Sequence, residues 1–580
     1  MLHLSENARE VLLARYLRRD LNGKILETPE ELFERVATSI SKAELSWGKA
    51  SKAEEWRDQF LEMLSSLDFL PNSPTLMNAG TPLGQLSACF VLPVEDSVEE
   101  IFESLKQMAI IQRSGGGTGF SFSHLRPKGF PVSSTGGAAS GPVSFMKIFD
   151  AATQHIRQGG RRRGANMGVL RVDHPDILEF VTAKSDNKSL QNFNISVAVT
   201  DSFIQAVRKN QKYDLLHPHT RRVLGSIKAR EVFNAIVKAA WQTGDPGLLF
   251  LDRINRCNPV PFLGKLEATN PCGEIPLYPY EACNLGSIHL AHMLRKTKGR
   301  IEIDVDKLRD VTRKAIRFLD NVIEVNHYPF AEIRNMCLGS RKIGLGVMGF
   351  AEMLIRLEIS YASPKAIKLA LYVMKIIAEE SRKASMQLVK ERGVFPFWKK
   401  STHAVKNIRF RNATLNAIAP TGTLSILANT SAGIEPYFAL LFQRHIMEGK
   451  IFREIIPVFE TYLREYKLPS KEILHKLSKY RSLSKITSLP FPVKKLFATA
   501  LEISPVQHLK IQAAFQKYVD NSVSKTINLP SKASPEDIAH IYLQAWKLKL
   551  KGITIYRYGS KSSQVLEFGG SHCDPGECEL

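Results

Sequence analysis

The residues best equipped for chemistry in this 580-residue chain are three cysteines, Cys89, Cys272 and Cys283. Two of them stand in the phrases Asn270-Pro271-Cys272-Gly273-Glu274 and Ala282-Cys283-Asn284-Leu285-Gly286-Ser287. The first phrase sets an amide, a thiol and a carboxylate at alternate positions, and on an extended segment alternate side chains share one face. A carboxylate beside a thiol raises the thiol pKa and keeps the sulfur protonated, which suits neither a metal ligand nor a thiolate nucleophile. A sulfur held as S–H suits hydrogen-atom chemistry. Proline and glycine crowd the stretch between Cys272 and Cys283, so a loop that doubles back brings both thiols near one site. Two ordinary buried thiols in a loop is the alternative.

Positioning such groups takes a sizeable fold, and composition bounds its kind. The chain is 44% hydrophobic and 23% charged, ordinary for a globular enzyme. No apolar run approaches the roughly 18 residues of a membrane span, and the N-terminus lacks signal-peptide features. A cytoplasmic protein with no membrane partner is expected. The formal charge of +22, from 79 basic and 57 acidic residues, fits an anionic partner and equally a solvated lysine-rich surface. With no RNA-binding signature and no zinc-finger spacing, no nucleic-acid partner and no metal site are assigned. Seven cysteines in the cytoplasm should be reduced unless they do redox work. Cys257 and Cys337, without chemical company, are expected in the core.

Periodicity supplies the elements. Residues 1–70 read as a helical N-terminal segment, with an apolar stripe at Leu12, Leu13, Tyr16 and Leu17 and a helix start at Thr28-Pro29-Glu30-Glu31. After Cys89 a strand end is followed by a capping signal, Ser97 to Glu100, and a helix with the stripe Ile101, Leu105, Met108 and Ile111. Gly115 to Gly119 ends that helix before the strand Phe120–Ser123, and strand Asn194–Val199 leads into another helix. This alternation predicts an α/β protein with parallel pairing. The last stretch, residues 561–580, is polar and turn-rich and reads as a flexible tail.

Several phrases, in order along the chain, resemble the catalytic subunit of ribonucleotide reductases, within them the adenosylcobalamin-dependent class. They are Asn72 to Gly80, Ser87-Ala88-Cys89, Asn270 to Leu277, Cys283 to Ser287, Arg341 to Phe350, Pro420 to Leu424 and Gly552 to Arg557. The resemblance implies a ten-stranded α/β barrel of two five-stranded parallel halves over residues 71–560, with Cys272 on a central finger loop. It implies that Cys272 becomes a thiyl radical and abstracts the ribose 3′ hydrogen, that Glu274 is the general base, and that Asn270 hydrogen-bonds the sugar. Cys89 and Cys283 are then the reducing pair that ends as a disulfide. Cys573 and Cys578 are the tail dithiol that re-reduces it and passes oxidation to a thioredoxin-like reductant.

The same resemblance assigns substrate contacts to Thr75, Ala88, Cys89 and Gly117, and to Asn270, Pro271, Cys272, Gly273 and Glu274. Two stretches are candidates for the substrate phosphates: Pro420, Thr421, Gly422, Thr423 and Leu424, whose hydroxyls and N–H groups at a helix start suit a diphosphate, and Gly115 to Gly119, which allows close backbone approach. Asp96, Ser97 and Arg126 match positions that bind deoxynucleotide effectors, and Arg157 to Asn166 matches the loop coupling effector to substrate choice. A homodimer or a monomer is implied. No counterpart of the family's ATP-cone domain precedes residue 71, so dATP is expected to steer specificity without switching the enzyme off. Tyr556-Arg557-Tyr558 separates two tyrosines that the small-subunit-dependent class has in tandem, which favours adenosylcobalamin as cofactor. The alternative is the large subunit of an oxygen-dependent reductase needing a separate radical-generating small subunit.

Overall fold

Short apolar runs flanked by glycine or proline become the strands of one ten-stranded sheet. They are β1 Phe69–Pro71, β2 Cys89–Leu92, β3 Gly117–Ser121, β4 Asn166–Arg171 and β5 Phe193–Val199. After them come β6 Gly247–Phe250, β7 Glu281–His289, β8 Ile343–Met348, β9 Thr526–Leu529 and β10 Gly552–Arg557. The computed structural model describes residues 4–131, 136–158, 162–446, 450–480, 482–561 and 566–568. The tail cysteines Cys573 and Cys578 lie outside them.

Strands β2 to β6 run parallel, each beside the next. β10 joins β6 antiparallel and β9 lies parallel to β10. On the other side β7 pairs β2 antiparallel, β8 runs parallel to β7, and short β1 also lies antiparallel on β7. Among the described residues, regular pairing does not continue between β8 and β9. There, Asn416 and Ile418 make single parallel bridges to Leu345 of β8 and to Val523 ahead of β9.

Because both faces of these strands are covered, they read as continuous apolar runs; every residue of β8 is buried. Alternation still sorts the side chains. Cys89, Val91, Met167, Val169, Cys283 and Leu285 share the inner cluster, whereas Phe90, Leu92, Phe120 and Val197 pack against helices outside. The N-terminal helices are α1 Glu6–Val11, α2 Pro29–Ser41 and α3 Ala50–Ser65. The predicted start of α2 is a full capping box: Glu31 N–H donates to the Thr28 hydroxyl at 3.2 Å, and Thr28 N–H to the Glu31 carboxylate at 2.7 Å. α4 Val98–Arg113 buries Ile101, Met108 and Ile111 as its stripe requires. α5 Val305–Val325 and α6 Pro364–Arg392 pack side by side, and α7 Gly422–Leu427 is a six-residue helix. Among the described residues no helix is long and apolar enough to cross a membrane.

Candidate active site

Cys272 stands at the tip of a small hairpin. Ala268–Thr269 and Pro276–Leu277 pair antiparallel, and the loop closes with Asn270 N–H donating to Ile275 O at 3.2 Å and Gly273 N–H to Asn270 O at 3.0 Å. The extended reading of residues 270–274 is therefore corrected. Pro271 and Gly273, the latter at φ +80°, turn the chain back, as their backbone preferences favour. Asn270, Cys272 and Glu274 converge through the turn and not through strand alternation. The hairpin leans on the inner face of the parallel strands. A Cβ at Gly119 would lie 1.7 Å from the Thr269 carbonyl oxygen, and one at Gly117 2.9 Å from the Pro271 ring. Asn194 Nδ2 donates to the Pro271 carbonyl at 2.8 Å and Ser522 N–H to the Glu274 carbonyl at 2.8 Å, pinning the tip from two sides.

The fold brings Cys89 and Cys283 together across nearly two hundred residues of chain. They are direct partners in the antiparallel register of β2 and β7, where opposite Cβ atoms lie roughly 4.5–5.5 Å apart. Both are buried and unbonded to each other. Asn270 Nδ2 donates to the Cys89 sulfur at 3.1 Å. Burial pushes the Cys283 thiol well up from its ordinary pKa, reinforced by the Glu281 carboxylate and the Cys337 thiol and opposed by Lys342. Glu281 is itself held by Lys342 Nζ at 2.6 Å and by the Ser340 hydroxyl at 2.6 Å. Cys337 is buried as expected. Cys257 is exposed, a correction to the core assignment, because it caps the end of the short helix Leu251–Arg256.

Two cavities meet at Cys272. One, of about 240 Å³, is lined by Ala88, Cys89, Gly117, Asn270, Glu274 and the whole of Pro420 to Leu424. The other, of about 660 Å³, shares Pro271, Cys272, Pro420 and Gly422 with the first and extends past Gly273 to Tyr437, Phe438 and Tyr556. Glu274 is buried, whereas Cys272 is exposed at the junction. Thr75 is not a lining residue; its buried hydroxyl donates to the Leu86 carbonyl at 3.0 Å and backs the wall that Asn72 forms. The Thr421 hydroxyl accepts Gly433 N–H at 2.7 Å, which fixes the start of α7. Sequence reasoning missed Arg15, Tyr16, Ser73 and Ser287, which also line the smaller cavity. Tyr16 was visible only as part of an apolar stripe, and Arg15 beside it carried no signal.

Asp96, Ser97 and Arg126, expected at an effector site, also come together. Arg126 Nε donates to Asp96 at 2.7 Å, its N–H adds a second bond to Asp96 at 3.1 Å, and Ser97 caps α4. Nearby, His124 contacts Glu267 at 2.7 Å and Glu95 at 3.4 Å; the Glu267 hydrogen bond raises its pKa to about 8 against the pull of burial. Of the basic loop, residues 159–161 lie outside the described set, and Arg157–Gln158 pairs with Arg162–Arg163 through the backbone. Among the described residues no cluster of three or more His, Cys, Asp or Glu is arranged to hold a metal ion.

A thiol on a finger hairpin, set against parallel strands with two more thiols opposite, defines a class. Residues 87–556 match the family described as "Ribonucleotide reductase, barrel domain" and residues 2–84 that described as "Ribonucleotide reductase, all-alpha domain"; the chain belongs to the ribonucleotide reductase family. It is similar to the "Vitamin B12-dependent ribonucleoside-diphosphate reductase" of Thermoplasma acidophilum, at 49% identity over 98% of this chain and 81% of that protein. The protein of the same name from Mycobacterium tuberculosis strain H37Rv is 50% identical over 98% of this chain and 80% of its own length. Among solved structures, the Actinobacillus ureae class Id ribonucleotide reductase alpha subunit superposes with a TM-score of 0.76 at 25% identity, covering 96% of this chain and 97% of that one.

Proposed function

We propose that this chain reduces ribonucleoside diphosphates to 2′-deoxyribonucleotides by adenosylcobalamin-dependent thiyl chemistry. The observation that carries the reading is Cys272 at the junction of two cavities, one of which also holds Cys89 and Glu274. The sheet reads as a ten-stranded barrel of two five-stranded parallel halves, β2 to β6 and then β10, β9, the 416–418 segment, β8 and β7. Residues 1–70, 71–560 and 561–580 are the helical segment, the barrel and the redox tail.

The larger cavity suits the cofactor by its chemistry. It is broad, walled by Tyr437, Phe438 and Tyr556, and fringed by the hydroxyls and amide of Ser431, Thr554 and Asn528, a combination fitting an apolar macrocycle edged with amides. Those six residues would hold it. When bound, adenosylcobalamin supplies a carbon radical through cleavage of its cobalt–carbon bond. The chain's own residues do the rest.

The substrate occupies the smaller cavity with its phosphates toward Thr421 to Leu424. Cys272, as thiyl, removes the 3′ hydrogen, and Glu274 accepts the 3′-hydroxyl proton. Asn270 holds the sugar while donating to Cys89. Cys89, the member of the pair that lines the cavity, gives its proton to the departing 2′-hydroxyl, which leaves as water. Cys283 closes on Cys89 and its hydrogen passes to the 2′ carbon; forming the disulfide supplies the two electrons of the reduction, and Glu274 returns its proton to the 3′ oxygen. Cys272 then returns its hydrogen to the 3′ position. Cys573 and Cys578 reduce the disulfide and hand oxidation to a thioredoxin-like protein. Asp96, Ser97 and Arg126 take the deoxynucleotide effector.

The test is anaerobic reduction of the four ribonucleoside diphosphates by the purified chain with dithiothreitol, with and without adenosylcobalamin. Cobalamin-dependent deoxynucleotide formation is expected. Activity that ignores cobalamin and requires an added small subunit assigns the chain to the oxygen-dependent class.

A further inference from the structure

We propose that Arg15, on the N-terminal helical segment, binds the terminal phosphate of the substrate. The inference rests on the functional reading above and deepens it. A diphosphate entering the smaller cavity meets Glu274, a buried carboxylate. Bringing a polyanion beside a carboxylate out of water requires a compensating positive charge. Among the described residues lining that cavity, Arg15 is the one lysine or arginine.

Its placement fits the task. Arg15 Nη1 donates to the Thr423 hydroxyl at 3.3 Å, so the guanidinium already stands beside the loop proposed to receive the phosphates. The residue lies in a π-helical turn, Leu12–Tyr16, a rare geometry found often at functional sites. Its neighbours anchor that turn. Leu12, Tyr16 and Leu17 are buried, and the Tyr16 hydroxyl meets Ser73 Oγ at 2.7 Å. α1, immediately before the turn, packs on α7, which carries Thr423. Arg15 itself is only half-buried, within reach of a ligand in the cavity that it lines. A planar guanidinium can take two phosphate oxygens at once, which a hydroxyl or an N–H group cannot. The helical segment is thereby part of the active site.

The rival is a purely bracing role, with Arg15 holding Thr423 in place. Calorimetric titration of the full chain with CDP, inorganic pyrophosphate and the nucleoside cytidine separates the two. R15Q should weaken CDP and pyrophosphate roughly ten- to a hundredfold, the range expected for losing a charge-assisted bidentate contact. Cytidine affinity should not change. R15K, which keeps the charge and loses the fork, should fall between, and it serves if R15Q does not fold. In turnover the loss should appear in KM with kcat within a few-fold. Equal weakening of cytidine and CDP, or CDP binding unchanged in R15Q, overturns the assignment, as does a wild type that binds no pyrophosphate. If the wild type binds CDP in an Arg15-dependent way and yet makes no deoxynucleotide, the reaction assignment falls and this one stands.

Discussion

At the scale of single residues the site depends on one sulfur and on two glycines that let it approach the sheet. Cys272→Ser should abolish turnover while leaving substrate affinity intact, because a hydroxyl hydrogen is far harder to remove as an atom. Quantifying deoxynucleotide in a single-turnover assay checks this, and product formed by the variant at the wild-type level refutes the role. Gly119→Ala is the harsher structural test. Its Cβ would stand 1.7 Å from the Thr269 carbonyl, a backbone atom that no rotamer change can move, so the finger hairpin must shift. A loss of about 3 kcal/mol is expected in denaturant unfolding, with activity lost beyond what the unfolded fraction explains. Wild-type activity in G119A would show that the hairpin position is unimportant. The identities of Asn270, Cys272 and Glu274 were legible because an amide, a thiol and a carboxylate in one short phrase are chemically conspicuous. Their arrangement was misread because two signals competed, alternation and turn chemistry, and Pro271 with Gly273 wins in a stretch this short. The partnership of Cys89 with Cys283 follows from long-range strand register, which no local pattern carries.

Elements hold these residues through a buried ionic network on the helical side of β7 and β8. Asp320 of α5 accepts from Arg341 and Arg392 at 2.8 Å each, and Glu44 of the helical segment accepts from Arg317 at 2.7 Å and Arg392 at 2.6 Å. Arg341 stands two residues ahead of β8, so the network joins the helical segment, two packed helices and a strand of the sheet. Removing one member of a buried, hydrogen-bonded ion set leaves uncompensated charge. Asp320→Asn should therefore lose roughly 3–5 kcal/mol in equilibrium unfolding; a change under about 1 kcal/mol would mean the arginines find other partners. The network also sets an acid limit. Its arginines hold Asp320 and Glu44 below their usual carboxylate range despite burial, and Arg317 and Lys52 hold Glu391 down to about 2 from an ordinary 4.5. Carboxylates with a depressed folded-state pKa add stability that is complete above their unfolded pKa and disappears as they protonate. Thermal stability should thus be flat above about pH 5 and decline between pH 4.5 and 2, and D320N should show a shallower decline. This network was invisible in the sequence, since its members come from five separate segments. The strands and helices themselves were legible wherever periodicity was strong, as in α4 and β5; the Asn416–Ile418 connection was not, because its pairing is two single bridges.

Across the whole molecule, the positive excess of +22 suits a catalyst whose nucleotide substrates are polyanions, drawing them by long-range attraction. The reducing power, by contrast, must come from within and then be replaced. Cys89 and Cys283 face each other across two hydrogen-bonded strands. Joining them requires Cβ atoms to close from roughly 5 Å to about 4 Å, a small adjustment. Both are buried, out of reach of a thiol on another protein's surface, so in the proposed cycle electrons from a protein reductant are relayed by a dithiol that the chain itself carries. Without added reductant, each reduced chain should make at most two deoxynucleotides, one from each dithiol, since each product consumes two thiols, and peptide mapping should then find Cys89 joined to Cys283. Cys573→Ser with Cys578→Ser should cut that yield to one. The double variant should still cycle with dithiothreitol, whose small size admits it to the cavity, and should fail with thioredoxin, which can meet only an exposed dithiol. Undiminished thioredoxin-driven cycling would show that the tail carries no electrons and that the Cys89–Cys283 disulfide is reached directly.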